Sequence, residues 1–248
     1  MHDWIVPDWP APSNVKALFT TRTGGVSHGA NGIYASLNLA THVNDNLADV
    51  TKNRTLLRRY LPAEPRWLKQ VHGTAPISID QTTTEIPEGD AVFSRKRKTV
   101  CAVMVADCLP VLLCNTAGTT VGIVHAGWRG LAGGIIEKSI QAMQADHGEL
   151  IAWLGPAIGP NHFEVGTDVY EAFVQHDPQA KQGFVAKSGQ KGGKWLADIF
   201  LLARQRLTSS GIAQIYGGEI CTFSDSEHFF SYRRDGVTGR MAALIWFE

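Results

Sequence analysis

Three side chains of this 248-residue chain, His72, Cys108 and His125, are of the kinds that bind soft or borderline metals, and each closes or follows an apolar run. They stand in Gln70-Val71-His72-Gly73, Ala106-Asp107-Cys108-Leu109-Pro110 and Val124-His125-Ala126-Gly127-Trp128-Arg129-Gly130. Two imidazoles and one thiolate suit zinc, and three protein ligands leave the fourth tetrahedral position for water or substrate. The separations, 35 and 16 intervening residues, do not by themselves bring the three together. A free cysteine is commonly a small buried hydrophobe, and a lone histidine a satisfied core or surface residue. Asp107 sharpens the case: it interrupts the almost wholly apolar run Val100 to Leu113, where a carboxylate is costly unless it is paired or at work.

Other segments offer anion or ring chemistry. In Thr20-Thr21-Arg22-Thr23-Gly24-Gly25-Val26-Ser27, a guanidinium and backbone N–H groups could converge on an anion, although the pattern alone favours an ordinary Gly-Gly turn with a surface arginine. Arg129 follows His125 by four residues in a glycine-rich approach to a helix start, where backbone donors and the helix dipole favour anions. The segment Phe229-Phe230-Ser231-Tyr232-Arg233-Arg234-Asp235-Gly236, with Thr238-Gly239-Arg240, gathers aromatic, hydroxyl and guanidinium groups. It could stack on a flat base and hold ribose or phosphate, or form a hairpin with a salt-bridged turn.

The elements that must position these groups alternate without strict βαβ regularity. Strands are expected at Val15 to Thr21, Trp67 to His72, Asp90 to Ser94, Val100 to Ala106, Val111 to Asn115, Thr120 to His125, Leu150 to Leu154, Gln214 to Tyr216 and Met241 to Phe247. Helices are expected over Leu47 to Tyr60, capped by Asp45 or Asn46, over Leu131 to Ala145, Thr167 to Gln175, and Leu196 to Ser210 before Gly211. Short connections between Asp90 and His125 favour antiparallel or mixed pairing, and Arg95-Lys96-Arg97-Lys98 reads as a solvated hairpin loop. The expected fold is α/β: a sandwich of mixed sheets with helices outside.

Composition narrows the function classes. With 44% apolar residues and no low-complexity linker, one domain over residues 1–248 is expected. Lys+Arg equals Asp+Glu, so there is no global footprint for nucleic acid or an anionic membrane. No apolar stretch reaches the ~20 residues that span a bilayer, and the N-terminus lacks the apolar core of a signal peptide. Cys101, Cys108, Cys114 and Cys221 form no CxxC pair, in keeping with reduced thiols and a cytoplasmic location. A monomer is expected, since no heptad or apolar stripe advertises an interface. No GxGxxG or GxxxxGK[ST] supports a dinucleotide or P-loop reading.

Taken in order, Thr21 to Ser27, Ser36-Leu37-Asn38-Leu39, Asn53-Arg54, Gln70 to Gly73, Gly89-Asp90-Ala91, Ala106 to Pro110, His125 to Gly130, Gly155-Pro156-Ala157-Ile158-Gly159 and Phe229 to Arg240 resemble the YfiH family. It is also called the laccase-domain or polyphenol-oxidase family, and its members are read as purine nucleoside phosphorylases. The resemblance spans nearly the whole chain and implies a single-domain layered α/β/β/α sandwich with zinc on His72, Cys108 and His125. It further implies phosphorolysis of adenosine, inosine, guanosine and methylthioadenosine to base and (methylthio)ribose 1-phosphate, and deamination of adenosine to inosine. The partners are then purine nucleosides and inorganic phosphate. Substrate-pocket residues carried over on the matched motifs are Arg22, Asn38, Arg129, Ser231, Tyr232 and Arg233.

Two chemistries must share the site. Deamination needs a water acidified toward ~7 by a metal and an acid for the leaving ammonia; Asp107 is the catalytic candidate, with orientation of His72 or His125 as its other role. Phosphorolysis needs phosphate at the C1' face of the ribose, for which Arg22 and Arg129 are available. The laccase label fits poorly: nine histidines include no His-x-His pair, so copper enters only as a substituting metal with adventitious phenol oxidation. Two competitors stand beside the zinc enzyme. One is a metal-independent Cys108–His125 hydrolase, which has no need of His72. The other is a module that binds purines or cell-wall precursors and turns over little.

Overall fold

The computed structural model describes residues 2–81, 86–144, 149–187 and 193–248. Val15–Phe19 forms β1, and the Asn46 side chain accepts from the Ala48 N–H to cap α1, Leu47–Arg58. A short β2, Pro76–Ser78, precedes four strands buried at every residue: β3 (Ala91–Ser94), β4 (Cys101–Val105), β5 (Leu109–Asn115) and β6 (Val121–Ala126). Then come α2 (Trp128–Ala132), α3 (Ile135–Met143), β7 (Leu150–Leu154), β8 (Glu164–Val165), α4 (Thr167–Val174), β9 (Phe184–Ala186) and β10 (Trp195–Ala197). The chain finishes with α5 (Ile199–Ser209), β11 (Gln214–Gly217), α6 (Tyr232–Asp235) and β12 (Met241–Phe247).

Among the described residues, one sheet runs β11-β7-β5-β6-β3-β2, parallel in its two outermost pairs and antiparallel within. A second, antiparallel, runs β1-β12-β4, and a small third runs β8-β10-β9. Side-chain alternation along each strand turns these sheets into layers. From β5, Val111 and Leu113 pack toward helix residues Ile136, Ile140 and Leu207, while Leu112 and Cys114 pack toward the second sheet. From β12, Met241, Ala243 and Ile245 join that inter-sheet core, while Ala242, Leu244 and Trp246 meet Leu57 of α1. The order of layers is helices α2–α5, first sheet, second sheet, α1: the expected α/β/β/α sandwich with mixed pairing.

Several local expectations are corrected. Trp67 to His72 is not a strand; it makes only isolated bridges, Arg66 with Cys101 and Lys69 with Glu88. Trp67 and Leu68 are buried but Val71 is exposed, His72 has φ 59° and the N–H groups of residues 71–73 turn to a side chain, as described below. The helix expected over Leu131 to Ala145 is two helices, broken at Gly133-Gly134, where Gly134 takes φ +87°; Ala145 lies outside the described residues. Leu196 belongs to β10, because Asp198 caps α5 by accepting from the Phe200 and Leu201 N–H groups. Tyr60 lies past the end of α1 and is exposed. Arg95 to Lys98 is solvated as expected but is no hairpin, since it links β3 and β4, which lie in different sheets.

Candidate functional site

The chain leaves the second sheet at Val105 and enters the first at Leu109, so Ala106-Asp107-Cys108 is a crossover at one end of the sandwich. Asp107 makes the turn with φ 82°, a conformation seldom taken by a side-chain-bearing residue and one that clusters at functional sites. His125 stands one residue from the end of β6, on the same strand face as the inter-sheet residues Val121 and Ile123. In the β5–β6 register it faces Pro110, which sets it beside the crossover. His72 arrives on its loop from the second side. The three ligand atoms lie within 4.8 Å of one another, with Cys108 Sγ 3.9 Å from His72 Nε2 and the two imidazoles edge to face.

One carboxylate organises both histidines. Asp90, fully buried, accepts from the N–H groups of Val71, His72 and Gly73 at 3.1, 2.9 and 2.7 Å. Its Oδ1 is also 2.8 Å from His125 Nδ1. The first contacts hold the His72 loop in its turned conformation; the last fixes the His125 ring and leaves Nε2 toward the sulfur, as metal-bound histidines require. Burial alone would raise the Asp90 pKa, but His125 and the loop N–H groups together hold it below the ordinary carboxylate value. In the sequence this residue is marked only as a single Asp at the start of an apolar strand.

Burial works against charge on Cys108 and on His125, yet each is overruled by the other. The His125 imidazolium and hydrogen bonds from His125 and His72 bring the Cys108 thiol down, and the thiolate with Asp90 brings His125 up. By contrast, burial pushes the Cys114 thiol up to about 12 and Cys101 higher still. The donor set fits zinc. Zn–S and Zn–N bonds of ~2.3 and ~2.0 Å put neighbouring ligands about 3.5 Å apart, close to the 3.9 Å seen between Cys108 and His72. Gly127 is the floor of this cluster: a Cβ there would stand 3.1 Å from Cys108 Sγ, 3.1 Å from His72 Cδ2 and 3.7 Å from His125 Cε1. Among the described residues it is the one group of three or more His, Cys, Asp or Glu that could hold a metal.

The cluster opens on a cavity of about 420 Å³, whose walls include His42, Gln70, Met104, Val105, Tyr232 and Arg240, a size suited to a small organic ligand. Tyr232 is the expected pocket residue that lines it. Ser231 and Arg233 reach the site indirectly: the Ser231 hydroxyl and the Arg233 N–H both donate to Asp107, at 2.9 and 2.7 Å. Thr222 donates to the other Asp107 oxygen at 2.6 Å. The carboxylate thus ties α6 to the crossover and makes no bond to His72 or His125; orienting a histidine falls to Asp90 instead. Asn38 is buried and gives its side-chain carbonyl to the Ala40 and Arg240 N–H groups.

Neither anion candidate lines the cavity. The Arg22 guanidinium donates to the carbonyls of Ala35 and Ser226 at 2.8 and 3.0 Å and lies over Phe230. Arg129 is exposed and stacked on Trp128. The lining or organising residues missed by sequence reading are Asp90, His42 and Gln70, whereas Arg240 belongs to the guanidinium-rich segment read as able to hold ribose or phosphate. Gln70 exchanges two hydrogen bonds with the Met104 backbone, at 2.9 and 2.8 Å, and so pins the His72 loop to the edge of β4.

Fold and site together define a class: layered α/β/β/α proteins that carry a His-Cys-His cluster where the chain crosses between their two sheets. Residues 16–248 match the family model described as multi-copper polyphenol oxidoreductase laccase. A protein of Escherichia coli K12 named purine nucleoside phosphorylase YfiH is 49% identical over 248 residues, covering 99% of each chain. A Pseudomonas aeruginosa protein, also named as a purine nucleoside phosphorylase, is 45% identical and covers 100% of both. The crystal structure of a Neisseria meningitidis protein superposes with a TM-score of 0.93 at 48% identity over 99% of each chain, and that of YlmD from Geobacillus stearothermophilus with 0.86 at 28%, over 99% of this chain and 96% of that one. The chain belongs to the YfiH, or laccase-domain, family.

Proposed function

We propose that this chain is a zinc-dependent purine nucleoside phosphorylase that also deaminates adenosine. Its substrates are inorganic phosphate with adenosine, inosine, guanosine or methylthioadenosine, and its site is the cavity beside His72, Cys108 and His125. The observation that carries this reading is the convergence of those three side chains on one cavity, in a chain about half identical to relatives named for the activity. Bound zinc supplies a Lewis acid and an acidified water at that wall. The protein's own groups do the rest. Asp90 keeps His125 in the tautomer whose Nε2 faces the cluster, Val105 and Met104 offer apolar surface to a purine face, and the Tyr232 ring stands at the mouth. Asp107, with both oxygens engaged by Thr222, Ser231 and Arg233, is a positioning residue and not the proton carrier.

A second reading has one observation in its favour. Without metal, the lowered thiol pKa of Cys108 beside a cationic His125 is the arrangement of a cysteine hydrolase. His72 decides between them, since a dyad has no use for a second imidazole at the sulfur. Copper on the same nitrogen and sulfur donors would account for phenol oxidation as a side reaction. The enzyme is taken to act as a monomer, and in the cytoplasm, where its four free cysteines would stay reduced; among the described residues no helix is long and apolar enough to cross a membrane.

The test is incubation of the zinc-loaded protein with adenosine, with and without phosphate, beside Cys108→Ala and His72→Ala. Phosphate-dependent adenine and ribose 1-phosphate, inosine in both conditions, and neither product from the variants are expected. Turnover that survives chelation but not thiol alkylation would replace the zinc enzyme by the hydrolase.

A further inference from the structure

Phosphorolysis needs an anion seat, and Arg22 and Arg129, the arginines named individually for it, do not line the cavity. Arg240 lies inside, on the wall shared with Tyr232, whose ring is 5.9 Å from the guanidinium carbon. Its Nη1 donates to the Thr238 and Gly239 carbonyls at 2.8 and 3.0 Å, and among the described residues it has no carboxylate partner. Such a cation is costly to desolvate without a counter-charge. Asp107, whose charge reaches Arg240, already accepts from Thr222, Ser231 and Arg233. The position is built, not incidental. The Arg240 N–H donates to the buried Asn38 side chain at 2.9 Å, and Asn38 in turn donates to Asp45. His42 lines the same cavity, close enough to feel the charge of Arg240.

We propose that inorganic phosphate binds on the Arg240 guanidinium, with the His42 imidazole as a second donor, in the cavity faced by His72, Cys108 and His125. The proposal rests on the phosphorylase reading and names where its second substrate sits. A planar fork with unspent N–H groups matches two phosphate oxygens. Partial burial, Arg240 and Arg54 together keep His42 below its ordinary pKa, so at neutral pH it offers one ring N–H without adding a charge. With a metal dication only partly offset by the Cys108 thiolate, the cavity is net cationic toward a phosphate dianion. Arg129, exposed on Trp128, takes no part.

The zinc-loaded protein is titrated calorimetrically with inorganic phosphate, as wild type, Arg240→Met, Arg240→Lys and Arg129→Met. Loss of a charge-assisted pair is expected to weaken phosphate binding roughly 10- to 100-fold in Arg240→Met, with partial recovery in Arg240→Lys, no change in Arg129→Met, and unchanged zinc content. In phosphorolysis the KM for phosphate should rise accordingly, while deamination without phosphate persists. A second measurement needs no variant: phosphate should protect Arg240 of the wild type from phenylglyoxal, read by peptide mass spectrometry. Wild-type affinity in Arg240→Met, or protection of another arginine in place of Arg240, overturns the seat even where phosphorolysis is observed. Phosphate bound through Arg240 without any phosphorolysis leaves the seat standing and removes the phosphorylase reading.

Discussion

Replacing Asp90 with alanine would strand the buried His125 Nδ1–H and take the shared acceptor from three part-buried loop N–H groups. Unpaired buried donors cost about 1–3 kcal/mol each, so Asp90→Ala should destabilise by at least ~3 kcal/mol, read by urea unfolding. The milder Asp90→Asn should keep the fold yet weaken zinc ~10- to 100-fold, measured by competition with a chelator. Gly127→Ala tests the cluster from its floor. Its φ of −61° suits any residue, so the chain should fold, but the new methyl stands against Cys108 Sγ and zinc content should fall well below that of the wild type. A Gly127→Ala protein with full zinc would mean that the ion sits elsewhere.

The same scale carries a pH prediction. In the metal-free protein the Cys108 pKa is depressed, so its thiolate persists as pH falls below the ordinary ~8.5 and is lost only at the lower folded value. Iodoacetamide should therefore label Cys108 at neutral pH ahead of Cys101 and Cys114, whose pKa values are raised by burial, and zinc should block it. Equal labelling of the three, or none at Cys108 before unfolding, would contradict the ion-pair geometry.

At the scale of elements, much of what looks like site chemistry is joinery. Asn53, buried in α1, donates to Ser27 Oγ, Ser36 O and Asn38 O at 2.9–3.0 Å and accepts from the Val26 N–H. It clamps the 25–38 loop, and through Asn38 it steadies Arg240. Asn53→Ala should cost about 3 kcal/mol, a fall of roughly 6–12 °C in Tm for a chain of this size, without direct effect on the metal ligands. Strands buried on both faces, such as β4 and β12, were legible because their runs are apolar throughout, and the partly exposed β1 and β11 were legible as well. The two- and three-residue strands β2, β8, β9 and β10 carry too few side chains for any period to show. The Trp67 to His72 run misled because apolar content marks burial, whereas a strand also needs a backbone partner, and here Asp90 supplies it. His72, Cys108 and His125 were legible by type. Arg240 was legible only as one guanidinium of the Phe229 to Arg240 segment; its tie to Asn38, 202 residues away, has no local mark.

At the scale of the whole molecule, the metal cluster is an attachment to a core that stands without it. The inter-sheet residues Leu112, Ile123, Ala243 and Ile245 belong to a large apolar core that Cys108 only adjoins at its margin. Removal of zinc should thus lower Tm without abolishing the unfolding transition. Re-addition at a free concentration 100-fold above its Kd should restore ~2.7 kcal/mol, readable by scanning calorimetry; a chelated chain with no cooperative transition would assign the metal a structural role.

The pairing of β1 with β12 joins residues near opposite ends of the chain, Val15 with Phe247 and Phe19 with Ala243. On the ribosome, the strands of the first sheet are made in full before β12 exists, so β1 and β4 must wait without the strand that lies between them. Each then exposes an unpaired edge and an apolar face during synthesis, the circumstance in which nascent chains aggregate. His72, Cys108 and His125 have all emerged by mid-chain, whereas Arg240 arrives with the closing strand. In the life of a single molecule, the ligands of the cluster are synthesised first and the wall opposite them last.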